Sequence, residues 1–511
     1  MMRSAVQVLV LLVLCAPARA QEHTGEHPAP EKLGRVSFPT TCAPAVQPKF
    51  ERAVALLHSF AYRAAEEAFQ EVAKEDGHCA MAGWGQAMAN FHQIWEDRIN
   101  PAGMARGRAA IEWAEGVRAK TARERGYIHA VALLFVDGQN LPYEDRLQRY
   151  EQEMERLAAN YPQDPEARIF YALALLATAS SADQTHLQQK KAADLLEPLY
   201  REFPEHPGVV HYLIHADDNA EMAPRGLEPA RAYARIAPSA PHALHMPSHI
   251  FTRLGMWNDS IQSNLAARAA ARQQGDIGEE LHAMDYLMYA YLQLGREADA
   301  ARVLEDLRGM GTLPGGFKTD YAATAMPVRY AVERRQWREA AACAAVEGAA
   351  PWVEAVAVWA RAVGRARTRE IGGSQSEITK LMQLEMESQS RREPYWAEQV
   401  RIQVLEANGW YAQANGETAE AETALRRAAD LEDAIEKRPV TPGPVTPARE
   451  QLADLLLEQG HAREALAEYE SALRNSPGRR RALSGALEAA KQTGDEQKIH
   501  LYSSALQTPS R

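Results

Sequence analysis

The sequence predicts an all-α chain folded as a solenoid of helix-turn-helix repeats. Two features of the whole chain predict it. Alanine, leucine, glutamate and arginine dominate, while Val, Ile and Thr seldom cluster and alternating strand patterns are nearly absent. A length of 511 residues with recurring Gly and Pro punctuation also suits one long repeat array as well as several compact domains. A third observation is local: one segment near the C-terminus matches a known repeat pattern in register, as described below.

Residues 1–20 are read as a secretory signal. Arg3 is its one early positive charge, Val8 to Leu14 an apolar run, and Ala18-Arg19-Ala20 a small-residue exit, so cleavage is expected after Ala20. A lipid on Cys15 is the alternative, but a lipobox wants a small residue where Leu14 stands. The mature chain is expected in the periplasm or outside the cell. No later stretch approaches about 18 uninterrupted apolar residues, so no membrane span is expected. Residues 21–45 carry four prolines and read as an extended segment. Repeats are drawn from 46 to 365, a looser linker with Gly372-Gly373 at 366–376, and a helical C-terminal block at 377–511. In an oxidising compartment Cys42 and Cys79 can pair, and closing that loop is worth about 4 kcal/mol of chain entropy. Free buried thiols are the alternative, and Cys343, flanked by alanines, reads as a small core residue.

The clearest unit runs QLADLLLEQGHAREALAEYESALRNSP from Gln451. Gly460, Ala465, Tyr469, Ala472 and Pro477 fall where a 34-residue tetratricopeptide unit places its turn residue, its small residues, its aromatic and its helix-stopping proline. This segment resembles tetratricopeptide repeats specifically, and the resemblance implies a right-handed α-solenoid whose first helices line a concave groove. Other units are more degenerate. Ala65, Phe69 and Gly77 fit a first repeat with Phe60 in place of the turn glycine. Gly255 with Ala267, and Gly295 with Ala300, mark two more. Each helix pair exposes an apolar face that only its neighbour can cover, so the array must stack. The segments HPGVVHYLIHADD, APSAPHALHMPSHIFTRLGMW and VTPGPVTPARE look like a group of exported bacterial tetratricopeptide proteins. That resemblance implies fold and location and transfers no activity.

Histidines fall on the groove side of these units. His242, His245 and His249 share one repeat; His211 and His215 precede the last two by 34 residues each. Each i, i+4 pair puts two imidazoles on one helix face. The next repeat contributes His282, Asp285 and Tyr289, and His58 and His92 are again 34 residues apart. Asp217 and Asp218 follow His215 directly. Neutral imidazole is a common ligand for zinc, copper, iron and nickel. The expected metal set is therefore His211, His215, His242, His245, His249 and Asp285, with His282, Tyr289, His92, His58 and Asp218 lining the groove around it. Binding of an anionic or peptide ligand by the same histidines is an alternative, as is plain packing between helices. Pro247 must kink or restart its helix and can re-aim His242 and His245.

Trp84, Phe91 and Trp95 read as core rather than a ligand wall, and 432–450, with its four prolines, as an extended connector rather than a lid. A net charge of −11 spread among 57 basic and 68 acidic residues leaves no basic patch, so nucleic acid is not expected. Phosphate-binding, dinucleotide-binding, nucleophile-elbow, H-E-x-x-H and C-x-x-C motifs are all missing. The expectation is a binding or scaffold protein that takes a protein or peptide partner, a small ligand or a divalent transition metal in a His-lined groove. The alternative is a metal-dependent enzyme built from the same His/Asp cluster.

Overall fold

The hairpin at Gln451 shows how the sequence makes each unit of this computed structural model, which describes residues 31–92, 94, 98–135 and 141–507. Ala448–Glu458 and Ala462–Asn475 are its two helices. Between them Gly460 takes φ +83°, a left-handed turn that costs glycine nothing, and the His461 amide donates back to the Leu456 carbonyl. Ala465, Tyr469 and Ala472 are buried where the helices cross. The next helix, Arg480–Thr493, approaches so closely that a Cβ on Gly485 would lie 2.1 Å from the Tyr469 ring. Small residues thus set the spacing between layers.

Repeated along the chain, this plan gives twenty-five helices and no strand among the described residues. Among the described residues from 32 to 507, neighbouring helices pack as repeated antiparallel pairs, an all-α solenoid. No helix of the described residues is long and apolar enough to cross a membrane. The signal and lipid readings of residues 1–20, and the first part of the extended segment, lie outside the described residues.

Several expected boundaries change. From residue 31 the entry segment is irregular but anchored: Phe38 is fully buried, edge-on to Phe50 and Trp84. Burying such a ring is worth about 1.5–3 kcal/mol. Cys42 and Cys79 are joined as a disulfide, tying this segment to the Ala80–Ala89 helix. The linker expected at 366–376 is instead helical: Pro351–Arg367 ends there, three residues turn, and Ile371–Ser390 begins with Gly372-Gly373 inside it. Trp84 belongs to the aromatic core, Phe91 packs edge-on against Tyr150, and Trp95 lies outside the described residues.

The C-terminal block folds back onto the array. Arg479, fully buried, reaches Glu450, Glu333 and the Tyr289 hydroxyl, and the Trp257 indole donates to the Gly478 carbonyl. The segment expected as a plain connector is a strap. Its Glu436 amide donates to the Ser181 carbonyl, and Arg329 donates to the carbonyls of Gly443 and Pro444 and to the Thr441 hydroxyl. The groove of the central repeats is therefore covered rather than open.

Candidate metal centre

Three stretches carry the histidines. In Pro207–Asp217 a proline opens the helix and the His206 ring caps it, accepting from the Val209 amide. Pro247 ends one short helix, Pro241–His245, and opens another, Pro247–Arg253, separated only by Met246 in helical conformation. The restart leaves His245 and His249 one turn apart. Ile277–Gln293, capped by Asp276, contributes His282 and presents Glu279.

The six imidazoles fall into two sets. The ligand atoms of His211, His215 and His242 lie within 4.8 Å of one another, and so do those of His245, His249 and His282. Within each set an i, i+4 pair faces Nε2 to Nε2 at 3.0 Å. Two nitrogens bound to one ion at about 2.0–2.1 Å stand about 2.9–3.4 Å apart for angles between square and tetrahedral. The observed spacing lies in that range.

The outer nitrogens are held by acceptors. The His211 Nδ1–H donates to the His58 carbonyl at 2.6 Å, and His242 Nδ1 faces the Glu279 carboxylate at 3.2 Å. His245 Nδ1 meets Asn264 Oδ1 at 2.7 Å, and Asn264 is oriented because its amide donates to the Ser260 carbonyl. His249 Nδ1 meets Asp218 Oδ2 at 2.9 Å. In the His245/His249 pair both Nδ1 atoms therefore carry the hydrogen. Both Nε2 atoms then aim lone pairs at each other across 3.0 Å, an arrangement that a cation between them relieves. The His211/His215 pair has a second solution, since His215 Nε2–H can donate to His211.

Protonation does not supply that cation readily. Burial, first, and then the neighbouring imidazoles push His211, His215, His245 and His282 well below the ordinary histidine range. Burial lowers His242 against the pull of Glu279, and brings His249 down to about 4 against that of Asp218. All six are held in the neutral form that ligates metals. Burial raises the Asp218 carboxyl, but Lys437, Arg253 and His249 outweigh it and keep it ionised.

The walls come from distant segments. Phe60, with φ +53°, lays its ring 4.4 Å from His211 and 5.5 Å from His242. A non-glycine in that conformation is strained, and here the strained turn places the ring against the cluster. Phe60 stands in a turn-glycine position of the repeat, and nothing local in the sequence places its ring at the cluster. On the other side Lys437 of the strap reaches Asp218, and the Tyr286 hydroxyl lies 3.3 Å from the Thr441 carbonyl, and 3.4 Å from the Pro439 carbonyl and from both ring nitrogens of His249. A cavity of about 580 Å³ adjoins the cluster, lined in part by His215, Asp218, Tyr143, Leu147, Tyr395 and Lys437.

The other expected site residues lie elsewhere. Asp285 is not with the imidazoles: it forms a fully buried ion pair with Arg329 at 2.8 Å. Its place is taken by His282, 4.3 Å from His245 ring to ring. The Tyr289 hydroxyl accepts from Arg479, and His92 stacks on Tyr62, so neither lines the cluster. His58 bonds Tyr212 and Glu166, and Glu166 also holds His206. That network stands behind His211 rather than beside the six. Cys42, Asp76 and Cys79 converge too, but the sulfurs are spent on each other.

No protein-family model matches this sequence, and no curated protein matches it. Among solved structures, the human IFIT1 dimer with PPP-AAAA is similar at 14% identity, with 89% of this chain and 88% of that chain covered and a TM-score of 0.40. Yeast Tom70 is similar at 12% identity, with 89% and 91% covered and a TM-score of 0.29. These likenesses go no further than the helical-repeat architecture.

Proposed function

We propose that this chain is an exported metal-binding protein of tetratricopeptide type, which holds a transition-metal ion at His245, His249 and His282. The observation that carries it is the 3.0 Å approach of the His245 and His249 Nε2 atoms, each ring meeting an acceptor at its Nδ1. Outer-shell acceptors of this kind orient metal-bound histidines generally. Export is supported by the signal-like pattern of residues 1–20 and by a disulfide, which persists in oxidising compartments. Because the six rings are buried under a strap, a compact ligand suits this site better than a peptide laid along a groove.

The test is metal analysis of the full mature chain, purified without a histidine tag or chelator and reconstituted with zinc, copper, iron or nickel. Stoichiometric metal is expected in wild type and its loss in a His245→Ala/His249→Ala double variant that keeps its helical circular dichroism. Wild-type protein that stays metal-free after reconstitution overturns the reading. A metal-dependent enzyme is the second reading, favoured by the 580 Å³ cavity that meets the cluster at His215 and Asp218.

A further inference from the structure

We infer that His211, His215 and His242 hold a second metal ion beside the first, forming a dinuclear copper centre that meets the cavity through His215. This inference rests on the metal reading of the His245 set and adds the count, the class of ion and the side from which small molecules reach it.

The second set matches the first in ligand spacing, though its acceptors at Nδ1 serve the His211 and His242 rings rather than both members of the i, i+4 pair. It has three ligand atoms within 4.8 Å, an i, i+4 pair with Nε2 atoms at 3.0 Å, and two outer nitrogens held by the His58 carbonyl and the Glu279 carboxylate. The sets share no histidine yet touch twice, His215 to His249 and His242 to His245, each at 6.0 Å between ring centroids. Ions in both would be near neighbours.

The sets differ in access. His215 is 8% exposed and lines the cavity, whereas His245, His249 and His282 are at most 1% exposed and do not line it. A site with three protein ligands and one side toward a cavity keeps a position for water or a small anion.

Charge selects the ion. All six ligands are neutral imidazoles, and the carboxylates behind them are already matched: Asp218 by Arg253 and Lys437, Glu279 by Lys318. Glu436 in turn pairs Arg253. The surroundings therefore offer almost no net negative charge to offset two divalent ions. Hard ions that need carboxylates are disfavoured. Copper heads the affinity order for nitrogen donors, and its monovalent form brings half the charge. In the divalent form an anion entering from the cavity offsets part of the charge at the His215 side.

The experiment uses the untagged full mature chain, loaded separately with cuprous and cupric copper, with metal counted per folded chain and azide added to the cupric form as the anion probe. Near two copper ions per chain are expected in wild type. His211→Gln/His242→Gln and His245→Gln/His249→Gln should each retain about one. An azide charge-transfer band should persist in the His245→Gln/His249→Gln variant and vanish in the other. Where a double variant loses its helical signal, the single His215→Gln or His282→Gln replaces it. One ion in wild type, kept without His211 and His242 but lost without His245 and His249, overturns the second site and leaves the first standing. One ion lost from both variants means a single shared site and also overturns it. An azide band confined to the His245 set overturns the assignment of the cavity-facing ion. No copper in wild type, with zinc, iron and nickel also unbound, removes both readings together.

Discussion

In the hairpin from Gln451 to Pro477 the face between helices is filled by Ala465, Leu466, Tyr469 and Ala472; in Pro207–Asp217, Pro241–Arg253 and Ile277–Gln293 it is filled by six imidazoles. The first arrangement is stabilised by apolar burial at about 25 cal/mol per Å², and its one polar demand, the Tyr469 hydroxyl, is met within the hairpin by Asp454. The second gains less from burial, and each buried ring nitrogen requires a partner or costs about 1–3 kcal/mol. The chain meets that demand at four outer ring nitrogens with Asp218, Glu279, Asn264 and the His58 carbonyl, and then covers the cluster with Phe60 and the strap. Leucines would have packed the same helices with none of this support. The difference teaches that the repeat is the rule and the histidine region a departure from it that needs long-range help.

The comparison breaks most readily at Arg329. This side chain pairs Asp285 and donates to three strap groups, and only the Pro444 carbonyl among its partners is part-exposed. Arg329→Met leaves Asp285 uncompensated and frees the strap, and is expected to cost about 3–5 kcal/mol in urea unfolding. A loss below about 1 kcal/mol would show that the histidine region does not depend on the strap. The hairpin side is sharpened by Gly485→Ala, whose Cβ must displace the Tyr469 ring. It is expected to cost about 1–3 kcal/mol by the same measurement, with no change in bound metal. The smallest effect shows only as a pH slope. Burial, and then Glu432, push the Glu406 carboxyl well above its ordinary 4.5. The folded state therefore holds that proton more tightly than the unfolded chain, and stability falls as pH rises above about 4.5. Glu406→Gln should match wild type near pH 4 and unfold at a higher temperature than wild type by pH 8; equal midpoints at both values would refute the linkage.

The repeat plan was legible because small residues and turn glycines at fixed intervals have one physical reading, close helix crossing. Five of the six clustered histidines were legible for a related reason, since i, i+4 and 34-residue spacings survive any rigid stacking. His282 and Asp285 exchanged roles because the Ile277–Gln293 helix is offset against its neighbour. His282 meets His245 and Tyr286 meets His249, a register about one turn away from the one that aligned turn glycines imply. Sliding of one helix along another leaves no mark in a single sequence. The strap was missed because nothing local in its prolines says where an extended segment lies down, although Phe60 in a glycine position was a signal that the adjacent turn had another task.

The back-folded C-terminal block has a consequence for how such a chain can change over generations. Open repeat arrays gain or lose units freely, because each unit touches only its neighbours. Here Arg479 must meet Glu333 and Tyr289 across 146 and 190 residues, and Lys437 must meet Asp218 across 219. Duplicating or deleting one hairpin between those points would carry every such pair out of reach at once. The number of repeats is fixed by closure, and variation is left to single side chains.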